Sequence, residues 1–225
     1  MNKERYFTPD NIGGKASEML SEVKALRERH KQTLRPEHSA LLILDMQRYF
    51  LEESSHAFIP AARAIIPGIV RLIDSCSQKG LPIIFTRHLN TDADAGMMSA
   101  WWRELIREDN TLNKIAPELD TSNGVVLEKS QYDAFHETSL EEMLRERRVS
   151  QVIVCGVMTH LCCETTARAA FVRGLEVFFA IDGTATYSEA FHRATLLNLA
   201  HGFAVPVLIE EIVDACNRSS QSLLS

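Results

Sequence analysis

A cysteine, an aspartate and a lysine each stand at or just past the end of an apolar run in this chain, and together they could supply a nucleophile, a base and a cation. Cys162 lies in Gly156-Val157-Met158-Thr159-His160-Leu161-Cys162-Cys163-Glu164-Thr165-Thr166-Ala167-Arg168, directly after Gln151–Cys155, which reads as a buried strand. A thiol at such a strand-to-helix junction sits in the positive field of a helix N-terminus, which favours thiolate over thiol. Asp45 follows Leu41-Leu42-Ile43-Leu44 and is expected to be semi-buried with a raised pKa, suited to taking a proton from a thiol. Lys129 ends the run Gly124–Lys129 and would hold the carboxylate while stabilising a thiolate or an oxyanion. Plainer roles stay open on the residues alone: a small hydrophobe capping a helix for Cys162, and solvated strand ends for Asp45 and Lys129. Cys163 points about 100° away round the helix and cannot share a pocket with Cys162. Cys155, inside the strand, is assigned to the core.

Other groups fall on the same side of these runs. Gln47, Phe50, His88, Trp102, Tyr132, Phe135 and Thr159 are the expected substrate-binding residues, with His88 reserved for a hydrogen bond to a polar substrate group. Asp182-Gly183-Thr184 is placed at the end of a fifth strand, and His160 beside the nucleophile can point either way. His30, His38, His192 and His201 read as ordinary helix or surface residues. A metal site needs several converging ligands, and the only clustered candidates are His88, Asp92 and Asp94 without paired histidine spacing. No metal and no cofactor are therefore expected. Glycine-rich phosphate loops and a G-x-S-x-G serine elbow are absent.

Positioning such groups requires a regular scaffold. Strands are expected at Ala40–Asp45, Pro82–Arg87, Gly124–Lys129, Gln151–Gly156, Glu176–Ile181 and Ala204–Ile209, all short and mostly apolar on both faces, as in a covered parallel sheet. Helices are expected between them at Ala61–Lys79, Ser99–Arg107, Ser139–Arg147, Cys162–Arg173 and Ser188–His201, with a last one near Ile212–Cys216. Gly80, Gly174 and Gly202 read as helix C-caps. The alternation implies right-handed crossovers and a three-layer α/β/α sandwich around a six-stranded parallel sheet of Rossmann type. Functional groups then gather at the C-terminal strand edge. Residues 1–14 read as polar and irregular. Ala16, Met19, Leu20, Val23 and Leu26 recur at helical spacing, so 15–33 is expected to form an amphipathic helix, ended by Pro36, that packs on the domain or on a neighbouring subunit. The chain is expected to divide into an extension at 1–36, a catalytic-candidate domain at 37–217 and a tail at 218–225.

Composition narrows the class. The 225 residues, 45% hydrophobic and 24% charged, suit one globular domain with a sizeable core. A net charge of −6 with no basic block argues against nucleic acid as a partner. No run approaches a membrane span, and the N-terminus lacks a signal-peptide core, so no membrane partner is expected. Five cysteines, several on core elements, suggest reduced thiols and a cytoplasmic location.

Three ordered motifs give the chain a family resemblance. Ala40-Leu41-Leu42-Ile43-Leu44-Asp45-Met46-Gln47, Leu127-Glu128-Lys129-Ser130-Gln131-Tyr132-Asp133-Ala134-Phe135 and the Gly156–Arg168 stretch resemble the isochorismatase-like cysteine hydrolases, over roughly residues 38–210. That family includes nicotinamidases, N-carbamoylsarcosine amidases and ureidoacrylate or maleamate amidohydrolases. The resemblance implies the isochorismatase-like hydrolase fold and a catalytic triad of Asp45, Lys129 and Cys162. It also implies a cis peptide at Val157–Met158, an oxyanion hole from the backbone N–H groups of Met158 and Cys162, and a homodimer or homotetramer. Isochorismatases proper carry glycine where this chain has Cys162, so cysteine points to a small non-peptide amide or ureide cleaved through a thioester. The alternatives are vinyl-ether hydrolysis by Asp45 without a covalent step, and a non-catalytic binding protein. Thr86-Arg87-His88-Leu89-Asn90 departs from the Asp-x-His-Pro stretch through which nicotinamidases hold a metal, and His160 departs from the Asn or Asp of the amidases.

Overall fold

The computed structural model describes residues 3–218. In chain order the elements are α1 (Ile12–Arg27), β1 (Ser39–Leu44), α2 (Arg48–Leu51), α3 (Ile66–Gln78), β2 (Ile83–His88), α4 (Met98–Trp101), β3 (Val125–Lys129), α5 (Leu140–Glu146), β4 (Gln151–Val157), α6 (Glu164–Val172), β5 (Glu176–Ala185), α7 (Glu189–Gly202), β6 (Val205–Val207) and α8 (Ile209–Arg218). The six strands form one parallel sheet in the order β3-β2-β1-β4-β5-β6. Helices α3 and α8 pack together, as do α1 with α7 and α6 with α7, giving the helical layers about the sheet. β1 and β4 are buried along their whole length, which is why their sequences run apolar without alternation. The strand order reverses between β1 and β4. That reversal opens a crevice beyond the carboxyl ends of the two strands, where an open α/β sheet binds its ligands.

Leu44 of β1 and Gly156 of β4 are register partners. Gly156 has φ +110°, and a Cβ built there would lie 2.1 Å from the Leu44 carbonyl oxygen. Only a glycine can take that conformation in that space.

Several expected elements are revised by tertiary contacts. The helix expected over Ser99–Arg107 is a single turn ending at Trp101. Beyond it the Trp102 indole N–H donates to the Tyr132 hydroxyl at 2.7 Å, and the Ile106 carbonyl accepts from the Asn90 N–H at 2.7 Å. Pro67 shortens the Ala61–Lys79 helix: residues Ala62–Ile65 form a 3-10 turn and α3 starts at Ile66. β5 runs on to Ala185, so Asp182 lies within the strand, where its carboxylate accepts the Ile209 N–H at 2.8 Å at the start of α8. Gly80 and Gly174 end their helices at positive φ, whereas Gly202 is still helical and Phe203 is the cap.

The N-terminal segment is also more integrated than its polarity suggests. Tyr6 and Phe7 are buried, and α1 begins at Ile12 and stops at Arg27, well before Pro36. Its apolar residues Ala16, Met19 and Val23 are buried within this chain, against α7, β5 and β6. That face is therefore not a spare surface for a second subunit. His192, expected as an ordinary helix or surface residue, lies on α7 but is fully buried between the Tyr6 hydroxyl (Nδ1, 2.9 Å) and Thr184 (Nε2, 3.4 Å). Among the described residues no helix is long and apolar enough to cross a membrane. The tail expected over 218–225 lies, beyond Arg218, outside the described residues.

Candidate active site

Asp45, Lys129 and Cys162 converge at the switch-point crevice. Asp45 directly follows β1, Lys129 is the last residue of β3, and Cys162 lies in a wide helical turn, Thr159–Cys163, between β4 and α6. The Val157–Met158 peptide that leads into this turn is cis, as the resemblance implied. Leu161 and Cys163 close the turn by donating to the Met158 carbonyl at 3.0 and 3.2 Å. Asp45 has φ +51°, a conformation aspartate tolerates better than most residues.

Lys129 Nζ lies 2.8 Å from Asp45 Oδ2, with both side chains wholly shielded from solvent. The same ammonium lies 3.5 Å from Cys162 Sγ, 2.8 Å from the Gln131 carbonyl and 3.3 Å from His88 Nδ1. The other carboxylate oxygen, Oδ1, accepts the Thr86 hydroxyl at 2.6 Å, and Thr86 Oγ1 accepts the Asp45 N–H at 3.0 Å. Asp45, His88 and Cys162 also present atoms capable of binding a metal within 4.8 Å of one another. The Lys129 ammonium already touches all three, so the cation these acceptors surround is the lysine.

The electrostatics reverse two expectations. Burial alone would raise the Asp45 pKa, but the Lys129 ammonium holds it below the ordinary carboxylate range. Burial and the neighbouring Asp45 charge push the Cys162 thiol far up, against a smaller opposing pull from Lys129. The resting site thus pairs a carboxylate and an ammonium with a neutral thiol, despite the nearby helix start. Burial and Lys129 together lower His88 to about 4, so its ring is neutral near pH 7.

A cavity of about 150 Å³ opens above the sulfur. Phe50, His88, Trp102, Tyr132, Met158 and Cys162 line it, together with Tyr49, His56, Asn90, Glu104 and Tyr187, which the sequence reading did not single out. Tyr49 donates to Glu104 at 2.8 Å, and His56 Nδ1 lies 3.2 Å from the same carboxylate. These residues are some fifty positions apart in sequence, and nothing local announces their meeting. Three expected binding residues lie elsewhere. Gln47 is fully buried and spends its amide on the His88 backbone and the Asn113 carbonyl. Phe135 packs under the Arg173 guanidinium, and Thr159 is buried on the Tyr6 side of the turn. His160 turns away from the cavity, stacking on Phe191 with its Nδ1 2.6 Å from Thr186 Oγ1. Cys163 faces the core, near the Cys155 carbonyl.

With sheet, switch point and charged cluster in place, comparison with known proteins gives the class. Residues 39–211 match the Isochorismatase domain, and the chain belongs to the isochorismatase family of hydrolases. It is 41% identical over 191 residues to nicotinamidase 3 of Arabidopsis thaliana, covering 83% of this chain and 89% of that one. It is 31% identical over 195 residues to enterobactin synthase component B of Escherichia coli K12, covering 84% of this chain and 67% of that one. Among solved structures, a cysteine hydrolase from Pseudomonas syringae pv. phaseolicola 1448A superposes with a TM-score of 0.80 at 24% identity, over 84% of this chain and 97% of that one.

Proposed function

We propose that this hydrolase cleaves the C–N bond of a small non-peptide amide or ureide through a thioester on Cys162. The observation that carries this reading is the thiol at the cavity floor, beside a buried carboxylate–ammonium pair. Asp45 takes the thiol proton as sulfur adds to the carbonyl carbon, so the thiolate exists only when there is a bond for it to make. The backbone N–H groups of Met158 and Cys162 receive the oxyanion, and Lys129 offsets the charge that moves to sulfur. The proton on Asp45 then passes to the leaving nitrogen, the C–N bond breaks, and ammonia or an amine departs. A water that gives its proton to Asp45 attacks the thioester, releasing the carboxylic acid and restoring the thiol. Aromatic walls and a volume of about 150 Å³ favour a flat, single-ring carboxamide, a class supported by the name of the Arabidopsis relative.

The isochorismatase match supports a second reading, ether hydrolysis in which Asp45 does the chemistry alone. Covalent trapping separates the two. A panel of small amides and ureides is incubated with the protein, ammonia is measured, and quenched samples are weighed intact. We expect ammonia release with an acyl adduct on Cys162, and loss of both in Cys162→Ala. Undiminished ammonia release by Cys162→Ala would overturn the thioester route.

A further inference from the structure

His88 has both ring nitrogens committed. Nε2 lies 2.9 Å from Asn90 Oδ1, and a carboxamide oxygen can only accept, so Nε2 carries the ring proton. The orientation of Asn90 is fixed in turn, because its amide nitrogen donates to the Ser130 carbonyl at 2.8 Å. Nδ1 is therefore a lone-pair acceptor, and it faces Lys129 Nζ at 3.3 Å. The backbone beneath the ring is held as well: the His88 N–H donates to Gln47 Oε1 at 2.8 Å, and Gln47 Nε2 donates to the His88 carbonyl at 3.1 Å. His88 and Asn90 are only 5% and 4% exposed, so water does not compete for these bonds.

An ammonium has three N–H donors, and three hydrogen-bond acceptors surround this one: the Gln131 carbonyl at 2.8 Å, His88 Nδ1 at 3.3 Å and Cys162 Sγ at 3.5 Å. Asp45 Oδ2, 2.8 Å away, is paired with it by charge without an aligned hydrogen bond. A neutral thiol is a weak acceptor, whereas a thiolate is a strong one. Building on the cysteine reading above, we infer that His88 is a positioning residue: its Asn90-fixed tautomer holds one Lys129 proton and thereby aims another at the Cys162 sulfur. That second contact tightens when Asp45 takes the thiol proton, and every Lys129 proton stays on nitrogen throughout. Lacking the imidazole, a buried ammonium would carry one unsatisfied donor or shift toward its other partners. Although the ring borders the cavity, neither nitrogen is left for a substrate, which reverses the substrate contact expected from the sequence.

Three variants separate these roles. His88→Asn keeps an acceptor near the Nδ1 position, His88→Gln reaches only toward the Nε2 position, and His88→Leu offers neither. Two readouts are taken at one pH: steady-state kinetics on an amide that the wild type turns over, and the rate of Cys162 alkylation by iodoacetamide followed by mass spectrometry. In His88→Gln and His88→Leu we expect kcat and alkylation to fall by about 10- to 100-fold, the range for losing a partner that orients a reacting group, with KM little changed. His88→Asn should recover most of both. A rise in KM with kcat and alkylation unchanged would mark a substrate contact and overturn the inference, as would equal losses in the Asn and Gln variants. Should His88→Leu fail to fold by circular dichroism, the Asn–Gln pair still decides. Alkylation needs no substrate, so it decides even if no amide in the panel is cleaved. A wild-type Cys162 that resists alkylation sinks the cysteine reading itself, a different failure, and takes this inference with it.

Discussion

Cys155, inside β4, has its sulfur 3.5 Å from the Leu42 carbonyl; Cys162, just past the end of the same strand, has its sulfur 3.5 Å from an ammonium. Both thiols are buried, and burial pushes both far above the ordinary cysteine range. Burial and distance are thus alike, yet only Cys162 has a carboxylate to receive its proton, a cation to balance the resulting charge and a cavity to admit a carbonyl. What sets the proposed nucleophile apart from the core thiol is the partner set delivered by β1 and β3, not any ease of ionisation at rest.

The comparison is tested most severely by removing each sulfur. Cys162→Ala should lower kcat by at least about 10³-fold, as loss of a nucleophile does. Cys155→Ala should leave kcat within about twofold while costing roughly 1–2 kcal/mol of stability for a small core cavity. Amide turnover together with urea unfolding checks both. A Cys155 variant as inactive as the Cys162 variant would erase the distinction.

The next effect comes from making the Cys162 surroundings resemble those of Cys155. Asp45→Asn or Lys129→Met leaves one buried charge without its partner and should cost about 3–5 kcal/mol. The double variant Asp45→Asn/Lys129→Met should recover part of that loss, because the ion pair leaves together, while remaining inactive. Denaturant midpoints of the three proteins supply the measurement. A double variant no more stable than the worse single one would mean the pair is not the dominant interaction.

The smallest effect is set by two buried histidines, one in each region. The folded-state pKa is about 4 for His88 and about 3 for His192, against 6.5 for an unhindered ring. Below pH 6.5 the unfolded chain binds more protons, so this stability is complete above 6.5 and declines as pH falls, by about 1.4 kcal/mol per pH unit for each group. The His88 contribution levels off near pH 4 and that of His192 near pH 3. Asp45, held below its usual range, adds a further loss only below about pH 4. His192→Gln should reduce the slope between pH 6 and 4.5 by roughly half, read from denaturant unfolding at each pH. An unchanged slope would show that His192 does not stay neutral in the folded protein.

The parts of this architecture that local sequence encodes were readable in advance. Leu41–Leu44 and Val152–Val154 are apolar because both faces of their strands are covered, and the polar residues ending β1 and β3 stood out against that background. What escaped was set by distant partners. Asp45 read as a carboxylate of raised pKa because nothing near it in sequence says that Lys129, from another strand, lies 2.8 Å away. The stretch after Trp101 has helical composition but is held open by Tyr132 and Asn90. β5 runs past Asp182, which locally reads as a strand terminator, because its carboxylate serves α8 across the fold. Glu104 meets Tyr49 and His56 only in the folded cavity wall, across some fifty positions of sequence.

Gly156 acts as a gauge block between the two halves of the proposed reaction. The carboxylate rides on the residue after Leu44, the thiol on the turn after Val157, and the spacing of these carriers is set where Gly156 meets the Leu44 backbone. A single methyl group there would act as a wedge, prying β1 from β4 where the carriers of the proposed acid and nucleophile share a foundation. Displacing reacting groups by about 1 Å can cost a hundredfold in rate. The proposed proton transfer is thus calibrated from below the site, by an atom that is not there.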